Sequence, residues 1–132
     1  MAEKETKFAE LVGKTILYIR GLKKGSDEVV FVCSDGSKYK MYHEQDCCEC
    51  VDIDDVIGDV EDLIGTEIII AEENSNSEGN PKDKYDDSFT WTFYKLATKK
   101  GYVDIRWYGT SNGYYSEEVN FYRIEMRNKN ER

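Results

Sequence analysis

The residues best equipped for chemistry fall within eight positions, His43-x-x-x-Cys47-Cys48-x-Cys50, which hold the single histidine and three of the four cysteines. Imidazole and thiolate are the ligands tetrahedral zinc takes, so zinc on His43, Cys47, Cys48 and Cys50 is one reading. Structural zinc sites pair two short knuckles from separate parts of a chain, and no second knuckle is present. If residues 47–53 form a strand, Cys48 and Cys50 face one way and Cys47 the other, so the four ligands do not converge. The plainer reading is buried thiols packing as small apolar groups, with His43 ending a strand. A cysteine nucleophile activated by His43 would need positive charge nearby to favour the thiolate, and the surroundings are acidic.

That acidity is the second feature. Between Lys40 and Lys82 there is no Lys or Arg and there are thirteen acids, so of the net −9 this middle carries −13 and the remainder +4. The run Glu44, Asp46, Glu49, Asp52, Asp54, Asp55, Asp59, Glu61 and Asp62 suits a basic partner, with carboxylates standing where a basic groove expects phosphates. The same charge repels a nucleic-acid backbone, so no direct nucleic-acid binding is expected through this segment. The spacing Asp52-x-Asp54-Asp55-x-x-x-Asp59 matches no EF-hand calcium loop. The competing reading is a solvated face that keeps the protein in solution.

The third feature is aromatic. Arg106, Trp107, Tyr108, Asn112, Tyr114 and Tyr115 could line a groove for a nucleotide or another ring-bearing ligand. The alternative is a hairpin whose rings pack the sheet, with Asn112-Gly113 as its turn.

The elements that position these groups are mostly strands. Residues 3–11 suggest a short N-terminal helix with Phe8 and Leu11 on one side. Residues 15–19 and 29–33 read as strands, and Asp35-Gly36 turns the second into an alternating strand over 38–43. Residues 47–53 form another strand, followed by a small helical insert around 54–64, broken by Gly58 and closed by Gly65. Residues 67–71 read as a strand buried on both faces, and 73–87 as a long mobile surface loop. Phe89, Trp91 and Phe93 alternate on a half-buried strand. Lys100-Gly101 turns it into 102–108, and 109–113 turns that into a strand from 114 to about 126 with a bulge near 121–122. Residues 127–132 read as a frayed tail. The expected fold is α+β and β-dominated: one antiparallel meander sheet in a single domain over 1–132.

That length suits one core. No apolar run is long enough to span a membrane, and the charged N-terminus is not followed by the apolar stretch of a secretory signal. A cytoplasmic protein with mainly reduced thiols is the expectation, since vicinal cysteines close no useful loop. Exposed strand edges and tyrosines make a homodimer reasonable. No phosphate-binding glycine loop or Ser-His-Asp set occurs.

Three stretches carry a resemblance: Glu44-Gln45-Asp46-Cys47-Cys48-Glu49, Thr90-Trp91-Thr92-Phe93-Tyr94, and Trp107-x-Gly109-x-Ser111-Asn112-Gly113-Tyr114-Tyr115-Ser116-Glu117. From about Gly13 to Val119 the chain resembles a family of small uncharacterised proteins of bacteriophages and of Gram-positive bacteria carrying prophages. Cys50, the 73–87 loop and the tail are additions to that pattern. The resemblance supplies no functional residue; it implies a small accessory protein of a mobile element. Such proteins often occupy a host protein, commonly one of antiviral defence in the manner of an anti-CRISPR inhibitor, or sequester a nucleotide signal. The leading expectation is a non-enzymatic protein that binds and inhibits or modulates a basic host protein through its acidic surface. A nucleotide-binding sponge on the aromatic hairpin and a zinc protein on the His/Cys cluster are the alternatives.

Overall fold

The computed structural model describes residues 2–125. Among the described residues nine strands form: β1 Ala2–Glu5, β2 Ile16–Arg20, β3 Glu28–Cys33, β4 Lys38–Tyr42, β5 Cys50–Ile57, β6 Ile70–Asn76, β7 Ser88–Thr98, β8 Gly101–Ser111 and β9 Asn120–Glu125. They make two antiparallel sheets rather than one meander, a five-stranded sheet in the order β1-β9-β4-β3-β2 and a four-stranded sheet in the order β5-β8-β7-β6. Alternation on the strands points Phe31, Tyr39, Met41 and Phe121 of the first sheet and Tyr94, Leu96, Val103, Ile105 and Trp107 of the second into one shared core. Trp107 crosses between the layers, its indole N–H donating to Met41 Sδ at 3.3 Å.

Among the described residues helix is confined to two single 3-10 turns, Phe8–Leu11 and Val60–Leu63. The expected N-terminal helix is therefore strand β1, paired with β9, followed by one turn. Phe8 and Leu11 are buried as the sequence suggests, because i and i+3 also share a face in a 3-10 turn. The expected helical insert is also replaced, by strand over 54–57 and by the single 3-10 turn Val60–Leu63. β5 runs to Ile57 with a register shift between Ile53 and Asp55, and the extra residue, Asp54, breaks the strand alternation and imitates a helical pattern.

Further expectations change. Ile69 and Ile70 are exposed while Ile68 and Ala71 are buried, because β6 is an edge strand covered on one face only. β6 also continues to Asn76, so residues 73–76 of the expected loop pair with β7. Gly109 is not a turn residue but lies inside β8: a Cβ there would sit 2.7 Å from the carbonyl oxygen of Glu117, which crosses it. The segment 114–119 is thus not strand; β9 begins at Asn120 and pairs with β4 without a shift, so no bulge occurs at 121–122. Met126 and the 127–132 tail lie outside the described residues. No helix among the described residues is long and apolar enough to cross a membrane.

Candidate functional site

The three sequence motifs converge at one end of the two-sheet core. The loop after β4 wraps around the carboxylate of Glu49, which is buried. Glu49 accepts the N–H groups of Asp46 and Cys47, each at 2.9 Å, and the amide of Gln45 at 3.3 Å. His43 Nε2 lies 2.7 Å from Glu49 Oε2, and His43 Nδ1 lies 2.6 Å from the carbonyl oxygen of Glu118. Both partners are oxygen acceptors, so the ring is held between them through its two nitrogens. Burial alone would raise the Glu49 carboxyl; the His43 ring and the two backbone N–H groups outweigh it and hold the pKa down at about 2.

The third motif forms a matching clasp. Glu117 is buried and accepts Ser111 Oγ at 2.5 Å and Thr90 Oγ1 at 2.8 Å, tying the second motif to the third. Asn112 accepts the N–H of Tyr114 at 3.0 Å, the turn role its residue type favours. Asn120, also buried, accepts the N–H of Glu44 at 2.9 Å and donates to Glu118 at 3.3 Å. The result is a cleft of about 250 Å³ lined by Glu44, Gln45, Asp46, Ser116, Glu118 and Asn120. Among the described residues it holds three carboxylates and no base. Ser116, Glu118 and Asn120 are the residues that reading the sequence left out; the Ser116-Glu117 step in the third motif was the available signal.

The ligands of the metal and thiol readings do not come together in this geometry. His43 has both ring nitrogens engaged, so neither is left for a metal or for a cysteine proton. Cys47 and Cys48 are joined to each other, with S–S at 2.03 Å, which corrects the expectation that both are reduced. Cys50 is a free, exposed thiol on β5, and Cys33 a free, buried one. Among the described residues no group of three or more His, Cys, Asp or Glu is placed to hold a metal ion.

The acidic run is divided. Glu49 is internal, and Asp54 at the bulge is buried against Arg106 Nη2 at 2.6 Å and Lys82 Nζ at 2.7 Å. Burial opposes ionisation of Asp54, but Lys82 and Arg106 prevail and lower its pKa. Asp55 lies 3.9 Å from Arg106. Burial pushes the Asp52 carboxyl up, and Asp54 and Asp27 add to that against the pull of Lys82. Asp59 caps the 3-10 turn by accepting the N–H of Glu61 at 3.0 Å, and Asp59, Glu61 and Asp62 sit at the far end of β5 from Glu44 and Asp46. Eight strand residues separate the two groups by about 25 Å. Among the described residues, Glu44, Asp46, Asp52, Asp59, Glu61 and Asp62 have no base within 4 Å.

The aromatic set is also split. Trp107 is wholly inside the core, whereas Tyr114 is 89% exposed. Tyr108 and Arg106 lie on the outer face of the four-stranded sheet, with the Arg106 guanidinium over the Trp91 ring at 5.4 Å. Tyr115 is partly buried, beside the Ser111 clasp. Residues 82–86 close over Tyr108, whose hydroxyl donates to Asp86 at 2.5 Å and accepts the N–H of Lys82 at 3.1 Å. Burial and the Asp86 contact push the Tyr108 pKa up to about 12. Each bond contributes about 1 kcal/mol, so Tyr108→Phe is expected to speed limited proteolysis within 77–87 several-fold. An unchanged cleavage rate would show that Tyr108 does not hold this segment.

A family model described as "Domain of unknown function (DUF7448)" matches residues 9–121. No curated protein and no solved structure matches the chain. The matched span contains all three motifs and the end of the fold they build, and the chain belongs to the DUF7448 family.

Proposed function

We propose that this is a non-enzymatic accessory protein of bacteriophage type that binds and inhibits or modulates a basic host protein. Its target would be a protein of nucleic-acid handling or antiviral defence, met in the host cytoplasm. The observation that supports this most is the motif-end cleft, which offers Glu44, Asp46 and Glu118 with no base among the described residues that line it. Asn120 and the Glu49 clasp hold its walls in place, so the carboxylates are positioned before a partner arrives. A lysine or arginine side chain suits its size and charge. The same field repels phosphates, so nucleic acid is not a ligand of this end.

Capture from a bacterial lysate on immobilised protein tests the reading. A basic host protein should be retained at low salt and released at high salt, because exposed charge pairs are screened. The variant Glu44→Lys/Asp46→Lys/Glu118→Lys should retain none of it. Salt-independent capture, or capture undiminished by the triple variant, would count against the proposal.

A further inference from the structure

β3 reads Glu28-Val29-Val30-Phe31-Val32-Cys33. Val29, Phe31 and Cys33 fill the core, which leaves Val30 and Val32 on the outer face of the five-stranded sheet. A strand with one wet face alternates apolar with polar residues, while a continuous apolar run belongs to a strand covered on both sides. β9 has the same character: Phe121 points inward, and Tyr122 and Ile124 point out. The change of apolar phase along that strand is therefore an apolar outer face and not a bulge.

The register shows what surrounds this apolar floor. Tyr18, Val32, Lys38 and Ile124 form one row across β2, β3, β4 and β9, and Arg20, Val30, Lys40 and Tyr122 form the next. Between the rows lies a concavity of about 210 Å³. Its floor is Val30, Val32 and Ile124; among the described residues its charged lining is Arg20, Lys38 and Lys40 with Glu28, and Glu5 of β1 pairs with Tyr122 at the end of the second row. Lys40 lies 3.7 Å from Glu28 and over the Tyr42 ring at 4.3 Å. Among the described residues, Arg20 and Lys38 have no acid within 4 Å. Tyr18, 49% exposed, stands on the edge strand beside them.

Bases around an apolar floor with a half-exposed ring at the edge are what a phosphodiester chain uses, phosphates on the cations and a base on the ring. The concavity is smaller than the roughly 300–1,000 Å³ of sites that enclose a free small molecule, so it suits one or two units of a longer chain. We propose that the outer face of the five-stranded sheet binds single-stranded nucleic acid, with phosphates on Arg20, Lys38 and Lys40 and a base stacked on Tyr18. This does not depend on the acidic end, which it adjoins where the Tyr122 hydroxyl donates to Glu44 at 2.8 Å, because the two surfaces take ligands of opposite charge.

Fluorescence anisotropy with a short labelled single-stranded oligonucleotide tests it at low and rising salt. Three phosphates predict a log–log salt slope of about −2. Arg20→Gln/Lys38→Gln/Lys40→Gln should weaken binding about tenfold or more and bring the slope close to zero. Tyr18→Ala should weaken binding about fivefold or more and leave the slope unchanged, as loss of stacking does. Tyr18 is exposed, so this variant decides the matter even if the triple variant does not fold. Absence of binding at low salt, equal affinity for a mononucleotide or for duplex, or wild-type affinity in both variants would overturn the proposal.

Discussion

Glu49→Ala is expected to lower the thermal midpoint by roughly 10 °C or more, the largest effect of any change in the 43–50 loop. The substitution removes the acceptor of the buried His43 ring and of the N–H groups of Asp46 and Cys47, and several buried donors left unsatisfied together cost far more than a lost surface pair. Glu49→Gln keeps one carbonyl acceptor and should fall between. The acid limb of the stability curve carries a second signature. The folded pKa of about 2 lies below the ordinary 4.5, so the unfolded chain takes up the proton first. The contribution of Glu49 is therefore fully present above about pH 4.5 and is lost as pH falls toward 2. Chemical denaturation across that window should show a flatter acid limb for Glu49→Gln than for the wild type. Superimposable limbs would mean that Glu49 is not the group the loop is built around.

Trp107→Ala should cost about 3–5 kcal/mol, the usual result of emptying a large core position. A domain of this size has only about 5–15 kcal/mol in total, so the variant should be close to unfolding at physiological temperature. Trp107 is completely buried between the sheets and its indole N–H is satisfied by Met41 across the layers. Tyr114→Ala, at a position 89% exposed, should stay within about 0.5 kcal/mol of the wild type. The two residues lie seven apart in the aromatic stretch and look equally suited to a ligand groove. Denaturant midpoints of the pair separate them, and a mild Trp107→Ala phenotype would contradict the described core.

Much of the sheet was legible. The β3–β4 hairpin followed from Val29–Cys33, Asp35-Gly36 and the alternation of 38–42, because a tight turn and a period of two are local properties. The helical insert was misread at Asp54, where one extra strand residue shifts the alternation and only pairing with β8 reveals it. Gly109 looked like a turn residue; its reason is the Glu117 backbone packed across it, a contact between two parts of the third motif. The split into two sheets was not legible, since order within a sheet depends on which edges meet and not on any one strand.

The candidate site was legible in outline and not in detail. Reading the sequence placed the acids correctly in one stretch, but Glu44 and Glu49 are the same residue type five positions apart. One is displayed and one is internal because the N–H groups of Asp46 and Cys47 turn toward the second. Likewise Asp54 is consumed by Lys82 and Arg106, a base from each side of β7 that no local pattern links to it. The cysteine cluster drew attention for its residue types, yet its histidine serves the neighbouring glutamate. What a sequence shows is which groups are available; the fold decides which remain available to a partner.

The division of the acidic run is thus the point to test. The affinity of the captured host protein should be measured by titration calorimetry against two charge-reversed proteins. Glu44→Lys/Asp46→Lys/Glu118→Lys alters the motif end, and Asp59→Lys/Glu61→Lys/Asp62→Lys alters the far end of β5 by the same charge. The motif-end variant should lose at least about a hundredfold in affinity, as close interfacial charge pairs do when broken, and the far-end variant only the few-fold expected of a screened, distant charge. Equal losses in the two variants would mean that the partner responds to net charge alone, and would contradict an acidic site built by the motifs.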